Sequence, residues 1–228
     1  MKKLIYLSLA MAVCSCASDS QKKGMDRIAE HYGAKTAFSK GFQTNNGVTR
    51  NDFTITVSDS KMLDSLRQDI TGPNIALMMY GSLEPDERIK YDIIRVEFAM
   101  PSAQEPKTYG YEREMLEPAL DQSSIYHNFS DNLLNGDYKG ISDAVVPKFR
   151  TPGLRDNLSK FIENLEKLHG KLKGYKRTGF GFYNLSDGRK LYHFTGYLNF
   201  ADGHGQEYYV TVSTDTDDDY IQGFDLEF

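Results

Sequence analysis

The last third of the chain shows the clearest pattern of hydrophobic and polar positions. From 154 to 172, apolar residues recur at every third or fourth position, which predicts a helix with one apolar face. After this segment, apolar and polar residues alternate in four successive runs, at 175–183, 191–200, 207–213 and 220–228. Turns rich in glycine and aspartate separate the runs, as tight hairpins require. The pattern predicts a helix packed across the apolar face of a four-stranded antiparallel meander.

The part of the chain before this region predicts strands and helices in the order β-β-α-β-β. An Asn-Asn-Gly turn at 45–47 separates two strand-like runs and is a strong hairpin signal. Helical spacing follows, and we expect Pro73 to end that first helix because proline cannot continue it. The next residues, 74–81, are nearly all apolar and predict a buried core helix. Alternation returns at 91–100 and 107–114, which predicts a pair of strands.

Together these patterns predict an α+β protein with a boundary near residue 121. An N-terminal α+β domain would cover 25–121, and a C-terminal domain of helices plus the four-stranded antiparallel meander would cover 122–228. No internal repeat in the sequence relates the two halves.

The first residues contain the most specific motif in the chain. Lys2 and Lys3 precede an apolar run at 4–13, which is too short to span a bilayer but suits the core of a signal peptide. The run ends in Val-Cys-Ser-Cys at 13–16, which resembles the lipobox of bacterial lipoproteins: an aliphatic residue three positions before the acylated cysteine and a small residue directly before it. The resemblance implies that 1–15 are a signal peptide and that Cys16 carries the lipid.

The same resemblance implies a location and a membrane contact. Residues 16–24 would form a short polar tether between the lipid and the folded body. The protein would lie in the cell envelope, lipid-anchored to the outer membrane and facing the periplasm. Its contact with the membrane would be made through the N-terminal lipid.

Charge and cysteine content narrow the range of partners. The formal net charge is −5 at pH 7, which argues against nucleic acid as a partner and against direct electrostatic adsorption to anionic lipid. Both cysteines, Cys14 and Cys16, lie in the lipobox, so a chain cleaved before Cys16 has no pair left for a disulfide. The fold must therefore be stabilised by its hydrophobic core.

Motifs for catalysis, cofactors and metals give no specific signal. The sequence has no nucleophile elbow, phosphate loop or dinucleotide fingerprint, and its five histidines have no partner at metal-ligand spacing. The acidic turn at 215–219 lacks the loop glycine and the distal glutamate of an EF-hand, which favours a solvated turn. We therefore predict no catalytic, cofactor-binding or metal-binding residue and no cofactor.

A family resemblance covers about 123–228. A helix ending in Leu-Leu-Asn-Gly-Asp-Tyr at 133–138, two further helices and a sheet ending in Ile-Gln-Gly-Phe at 221–224 resemble the NTF2-like/cystatin-like α+β proteins. The resemblance implies a cone-shaped domain with a pocket between helices and sheet. Catalytic NTF2-like proteins place a carboxylate with a tyrosine or histidine in that cone. His193, Tyr197 and Asp225 are the tentative pocket residues on this basis.

Three functions remain open from the sequence. We favour a lipid-anchored, non-enzymatic envelope module that binds a small ligand or a partner protein, because tyrosines are abundant in the terminal sheet and suit binding surfaces. One alternative is an envelope enzyme that uses the cone, which fails if Phe180, Phe182 and Phe194 fill it. The other is an inhibitory or structural module that adds a strand edge to another protein.

Overall fold

Two four-stranded sheets and the helices around them make up the computed structural model, which describes residues 17–45 and 47–226. The helices are α1 (Asp19–Tyr32), α2 (Lys61–Ser65), α3 (Gln68–Ser82), α4 (Pro85–Arg88), α5 (Arg113–Asn135), α6 (Tyr138–Ala144) and α7 (Leu154–His169). The strands are β1 (Lys35–Asn45), β2 (Val48–Ser58), β3 (Ile93–Ala99), β4 (Lys107–Glu112), β5 (Leu172–Asn184), β6 (Lys190–Phe200), β7 (Gly205–Ser213) and β8 (Ile221–Asp225). This architecture confirms the α+β class.

The first sheet has the strand order β1-β2-β3-β4. The β1–β2 hairpin and the β3–β4 pair are antiparallel, whereas β2 and β3 run parallel. Helices α2, α3 and α4 make the crossover that a parallel pair needs. The order of elements is the one that the sequence predicts, with α1 added in front.

The second sheet is the antiparallel meander β5-β6-β7-β8. Its strands follow the four alternating runs closely because hairpin turns separate them in sequence. Strand β5 is interrupted at Thr178, where the pairing with β6 shifts register between Arg177 and Gly179. This β-bulge changes which face of the sheet the following residues occupy.

Helix α3 lies at the centre of the molecule and packs against α1, α5, β3, β4 and β5. Every residue from Thr71 to Tyr80 is buried, as expected for a helix that is apolar all round. The buried residues of both sheets belong to one continuous core. The N-terminal and C-terminal halves therefore share their interior along α3.

The predicted helix break at Pro73 is wrong. Helix α3 runs through Pro73, and the interruption lies instead at Leu66 and Arg67, which are extended. A proline inside a helix costs a main-chain hydrogen bond, about 3 kcal/mol. Burial of the apolar residues on all sides of α3 is large enough to offset this cost.

The tether and the domain boundary also differ from the sequence prediction. Asp19–Tyr32 form a helix capped by Ser18, and Gln21 and Gly24 are buried, so most of 16–24 belongs to the folded body. Residue 121 lies inside α5, which starts at Arg113 and runs past Pro118. Tertiary packing of α5 against both sheets extends the helix beyond the pattern of its own residues.

Membrane attachment is outside the part of the chain that the structure covers. Cys16 and the predicted signal peptide at 1–15 lie outside the described residues. Among the helices of 17–226 that the structure describes, none is long and apolar enough to span a bilayer.

Candidate functional site

The tentative pocket residues lie on the outer face of the second sheet. His193 and Tyr197 alternate with buried positions of β6, and Asp225 of β8 pairs in register with Tyr209, which lies on the same outer face. The ring of His193 packs 4.4 Å from that of Tyr209, which is the register partner of Asp225. Tyr197 lies four residues from His193 along the strand, about 13 Å away. The structure therefore brings His193 and Asp225 to either side of Tyr209 and leaves Tyr197 apart from them.

Aromatic side chains fill the space between α5 and the second sheet. Phe180, Phe194 and Tyr208 are fully buried there, and Tyr126 stacks on Tyr208 with ring centroids 5.5 Å apart. Phe182 differs from the other two phenylalanines because its side chain is 43% exposed. The interior in which a cone pocket was expected is thus occupied by packed rings.

Another cavity lies where β5 meets α1, α3 and α5. It has a volume of about 270 Å³, and we call it the cationic pocket. Its walls are formed by Arg27, His31, Met78, His127, Tyr175, Lys176 and Arg177. No carboxylate or thiol is among these residues.

Arg177 is the most unusual residue of the cationic pocket. Its side chain is buried, with 8% of the residue exposed, and its guanidinium lies 5.5 Å from the ring of Phe194. Nε donates a hydrogen bond of 2.7 Å to Oδ1 of Asn74, but Nη1 has no hydrogen-bond partner. Burial lowers the pKa of Arg177, because a charged guanidinium loses its hydration there.

A polar network holds the backbone around Arg177. His31 Nε2 donates to the carbonyl oxygen of Arg177 at 2.6 Å, since a carbonyl can only accept. Tyr32 donates to the carbonyl oxygen of Thr178, and Asn74 donates to both Tyr32 Oη and the Arg177 carbonyl. These bonds hold the β-bulge in place from α1 and α3.

The bulge is the reason that Arg177 points into the interior. Arg177 is paired with Gly196 and Phe180 with Phe194, both on the core side of β6. An uninterrupted strand would place residues 177 and 180 on opposite faces, because side chains alternate with a period of two. The extra residue at Thr178 puts both on the same face.

The positive charges of the cationic pocket have no carboxylate partner in the part of the chain that the structure describes. None of the ion pairs between described residues includes Arg27, Lys176 or Arg177. The Lys176 ammonium contacts the sulfur of Met62 at 3.7 Å, and burial lowers its pKa. Asp131 acts on this region through the Tyr175 hydroxyl and lies outside the pocket wall.

Both histidines of the pocket are neutral at pH 7. Burial lowers the pKa of His31 to about 4, and the charge of Lys176 acts in the same direction. Burial also lowers the pKa of His127 to about 4, with Arg177 as the next cause. Nδ1 of His127 lies 3.2 Å from the Tyr175 hydroxyl. The pocket therefore combines three cations with two imidazoles that can take up protons.

An open cleft of about 780 Å³ lies beside the cationic pocket, and we call it the adjoining cleft. The two cavities share His31 and Lys176 in their walls. Met62 and Pro101 supply apolar surface to the cleft, and charged side chains also line it: Glu30, Asp59, Lys61 and Asp64. A ligand larger than the 270 Å³ pocket would extend into this space.

Sequence reasoning missed this site for a physical reason. Lys176 and Arg177 stand side by side in an alternating run, which favours at least one exposed position, and His31 and His127 are far from them in sequence. The one local signal is the charged pair that precedes the Gly-Phe-Gly segment at 179–181 by a single threonine; glycines there allow close backbone approach.

A second groove, of about 280 Å³, lies on the outer face of the second sheet. Tyr183 and Phe149, each 53% exposed, form part of its wall together with Tyr209 and Lys148. The nearby His193 has a buried Nδ1 with no hydrogen-bond partner among the described atoms. Its aromatic wall agrees with the tyrosine-rich surface that the sequence indicates.

Across 17–45 and 47–226, no group of three or more histidine, cysteine, aspartate or glutamate residues has an arrangement that could hold a metal ion. Comparisons of the chain with protein-family models, with curated proteins and with solved structures find no match.

Proposed function

We propose that this chain is a non-enzymatic binding module of the bacterial cell envelope, anchored by a lipid on Cys16, that holds a small anionic ligand in the cationic pocket. The observation that carries the proposal is the Arg177 guanidinium, which is buried without a carboxylate partner among the described residues. Cys16 and the basic and apolar residues before it support the anchor.

The energetic argument concerns the cost of an isolated buried charge. A charged group that leaves water without a partner loses several kcal/mol of hydration, and proteins normally pair it. Asn74 accepts a hydrogen bond from Nε of Arg177 only. The rings of Phe194 and Tyr126 add cation–π contacts with the guanidinium. A bound anion would provide the missing charge through guanidinium hydrogen bonds, which suit carboxylate and phosphate geometry.

The wall of the pocket supports binding rather than a reaction. Its titratable groups are cations, neutral histidines and Tyr175, whose pKa burial raises to about 12. No serine, threonine or cysteine among the described residues lines the pocket, and the Tyr175 hydroxyl beside His127 stays protonated because its pKa is raised. These groups are suited to hold an anion in place.

The alternative functions have less support. The enzyme hypothesis required an open cone, and Phe180 and Phe194 are fully buried in that space. The strand-edge hypothesis required a free terminal strand, and the outer edge of β8 forms a bridge with Val145 at Ile221. The outer edge of β1 in the first sheet is a separate candidate for strand addition.

We propose further that the C-terminal half is an NTF2-like/cystatin-like unit in a variant with a filled interior. The support is architectural: a long helix, α5, packs on an antiparallel four-stranded meander, with α6 and α7 between them in sequence. In this chain the helix α3 from the N-terminal half also packs on β5, so the unit does not form its core alone.

The test is calorimetric titration of the purified full chain with inorganic phosphate and with acetate. We expect saturable binding of at least one anion, and at least a tenfold lower affinity in Arg177→Met, which keeps an unbranched apolar side chain and removes the guanidinium and its charge. Arg155→Met is the matched control, because Arg155 lies exposed on α7 beside Asp156 and should bind as the wild type does. Absence of saturable binding, or equal binding by Arg177→Met, would refute the proposal.

A further inference from the structure

We infer that the ligand of the cationic pocket is a phosphate monoester, whose doubly charged group lies among Arg27, Lys176 and Arg177 and whose organic part occupies the adjoining cleft. This inference rests on the proposed function and adds the class of ligand. It is carried by the charges of the pocket, by the hydrogen-bonding state of its histidines and by the shape of the two cavities.

The charges of the pocket favour a dianion over a monoanion. Arg177 is buried and Lys176 is half-buried, and neither has an ion-pair partner among the described residues, whereas Arg27 is exposed and keeps its hydration. About two charges are therefore poorly hydrated and without a counter-charge in the pocket wall. A carboxylate would leave one cation uncompensated, whereas a phosphate monoester carries close to two negative charges near neutral pH.

The two histidines have ring nitrogens that remain available for the ligand. Nε2 of His31 is hydrogen-bonded to the Arg177 carbonyl oxygen, and Nδ1 of His127 is hydrogen-bonded to the Tyr175 hydroxyl. His31 Nδ1 and His127 Nε2 have no hydrogen bond to described protein groups in this network. A protonated imidazole donates from both nitrogens, so each histidine can hold its present partner and still donate to a phosphate oxygen.

Binding of a dianion should therefore be coupled to proton uptake. Lys176, Arg177 and Arg27 disfavour the protonated form of His31, and Arg177 and Arg27 disfavour that of His127, while Asp131 favours it. An anion bound between these cations makes the electrostatic potential at both imidazoles more negative, which favours their protonated forms. The pKa of each histidine should rise on binding, and affinity should increase as pH falls.

The shape of the site fits a phosphate with an organic substituent. The 270 Å³ pocket is smaller than most pockets for whole ligands, which matches a head group. The adjoining cleft meets it at His31 and Lys176 and offers 780 Å³ with the apolar surfaces of Met62 and Pro101. A monoester can place its phosphate in the first cavity and its carbon chain in the second.

The first experiment uses sulfate as a probe that keeps its double charge at every pH tested. We expect the full chain to bind sulfate at least ten times more tightly than acetate, and to bind it at least ten times more tightly at pH 5.5 than at pH 7.5. The double variant His31→Gln/His127→Gln should lose this pH dependence. His169→Gln is the control, because His169 stacks on His204 at a distant hairpin.

The second experiment tests the organic part by comparing glycerol 3-phosphate with inorganic phosphate. The ester should bind at least five times more tightly because its carbon chain contacts the adjoining cleft. Vesicles of phosphatidylcholine with and without phosphatidic acid distinguish a lipid head group from a soluble ester. Binding that requires phosphatidic acid, or tighter binding of glycerol 3-phosphate alone, supports the ligand class, whereas equal binding to both kinds of vesicle does not.

Each result separates this inference from the proposed function. Equal affinities for acetate and sulfate, or a sulfate affinity that does not change with pH, would overturn the dianion while leaving anion binding through Arg177 intact. An ester, soluble or lipid, that binds no more tightly than inorganic phosphate would overturn the assignment of the adjoining cleft. Absence of binding by any anion would refute both proposals.

Discussion

Oδ1 of Asn74 accepts a hydrogen bond of 2.7 Å from Nε of Arg177, and this contact joins α3 to β5 across 103 positions of the chain. Asn74 is fully buried, and its amide nitrogen donates hydrogen bonds to Tyr32 Oη and to the Arg177 carbonyl oxygen. One side chain thus positions the guanidinium of the cationic pocket and the bulged backbone behind it.

Removal of the Asn74 amide should destabilise the protein strongly. We expect Asn74→Ala to lower the free energy of unfolding by roughly 2–4 kcal/mol, because Arg177 Nε loses its acceptor and remains buried. Urea denaturation followed by circular dichroism measures this change. Asn199→Ala, at an exposed position of β6, should stay within about 0.5 kcal/mol of the wild type. Similar values for the two variants would contradict the role of Asn74.

Stability should depend on pH through His31 and His127. Both have a pKa of about 4 in the folded protein, below the ordinary value of about 6.5 in an unfolded chain. The unfolded chain therefore takes up protons first, and stability that is present above pH 6.5 is lost as pH falls from 6.5 to 4. We expect a loss of about 2–4 kcal/mol for both histidines together, allowing for their partial exposure.

Variants of the histidines show which groups cause the pH dependence of stability. Urea midpoints at pH 7 and pH 5 should differ clearly in the wild type and in His169→Gln, and much less in His31→Gln/His127→Gln. An unchanged pH dependence in the double variant would show that other groups control it.

Two of the three glycines of β5, Gly179 and Gly181, should respond differently to substitution by alanine. A Cβ on Gly179 would collide with Ile70 of α3 and lie 2.8 Å from Thr195 Oγ1, so Gly179→Ala should destabilise by about 1–3 kcal/mol. A Cβ on Gly181 would meet no atom within 4 Å, so Gly181→Ala should change stability by less than about 0.5 kcal/mol. Thermal unfolding of both variants tests the close packing of α3 on β5. Equal melting temperatures for Gly179→Ala and Gly181→Ala would contradict that packing.

The Tyr208 hydroxyl should contribute to stability through buried hydrogen bonds. It donates to Tyr126 Oη at 2.6 Å and lies 2.6 Å from Ser130 Oγ. Tyr208→Phe should cost about 1–2 kcal/mol, because these groups lose a buried partner. Tyr220→Phe is the control, since Tyr220 is 43% exposed. A stability loss in Tyr208→Phe no larger than in Tyr220→Phe would contradict this network.

Much of the fold could be predicted because hydrophobic periodicity is a local property. The runs that became β5 to β8 alternate clearly and are separated by turn residues, so their pairing in sequence order follows. Helix α3 was recognised by its unbroken apolar stretch, although its passage through Pro73 was not. A proline inside a helix is tolerated only when tertiary burial offsets its cost, and the sequence does not reveal that burial.

The candidate site could not be predicted from local patterns. The sequence predicts His193, Tyr197 and Asp225 in a cone, whereas β6 and β8 place them on the outer face of the sheet. The inward direction of Arg177 depends on the bulge at Thr178, and His31 and Tyr32 hold that bulge from 146 residues away. A shift of one residue in strand register moves a side chain to the other face, and only long-range contacts fix it.

The sequence by itself therefore determined the α+β class, the meander, the buried helix and the net negative charge of the chain. Tertiary structure alone decided that three cations and two histidines from α1, α5 and β5 meet in one pocket. The physical reason is that hydrophobic periodicity indicates which face of a helix or strand is buried. Which charged residues from distant parts of the chain lie close together depends instead on how whole helices and strands pack against one another.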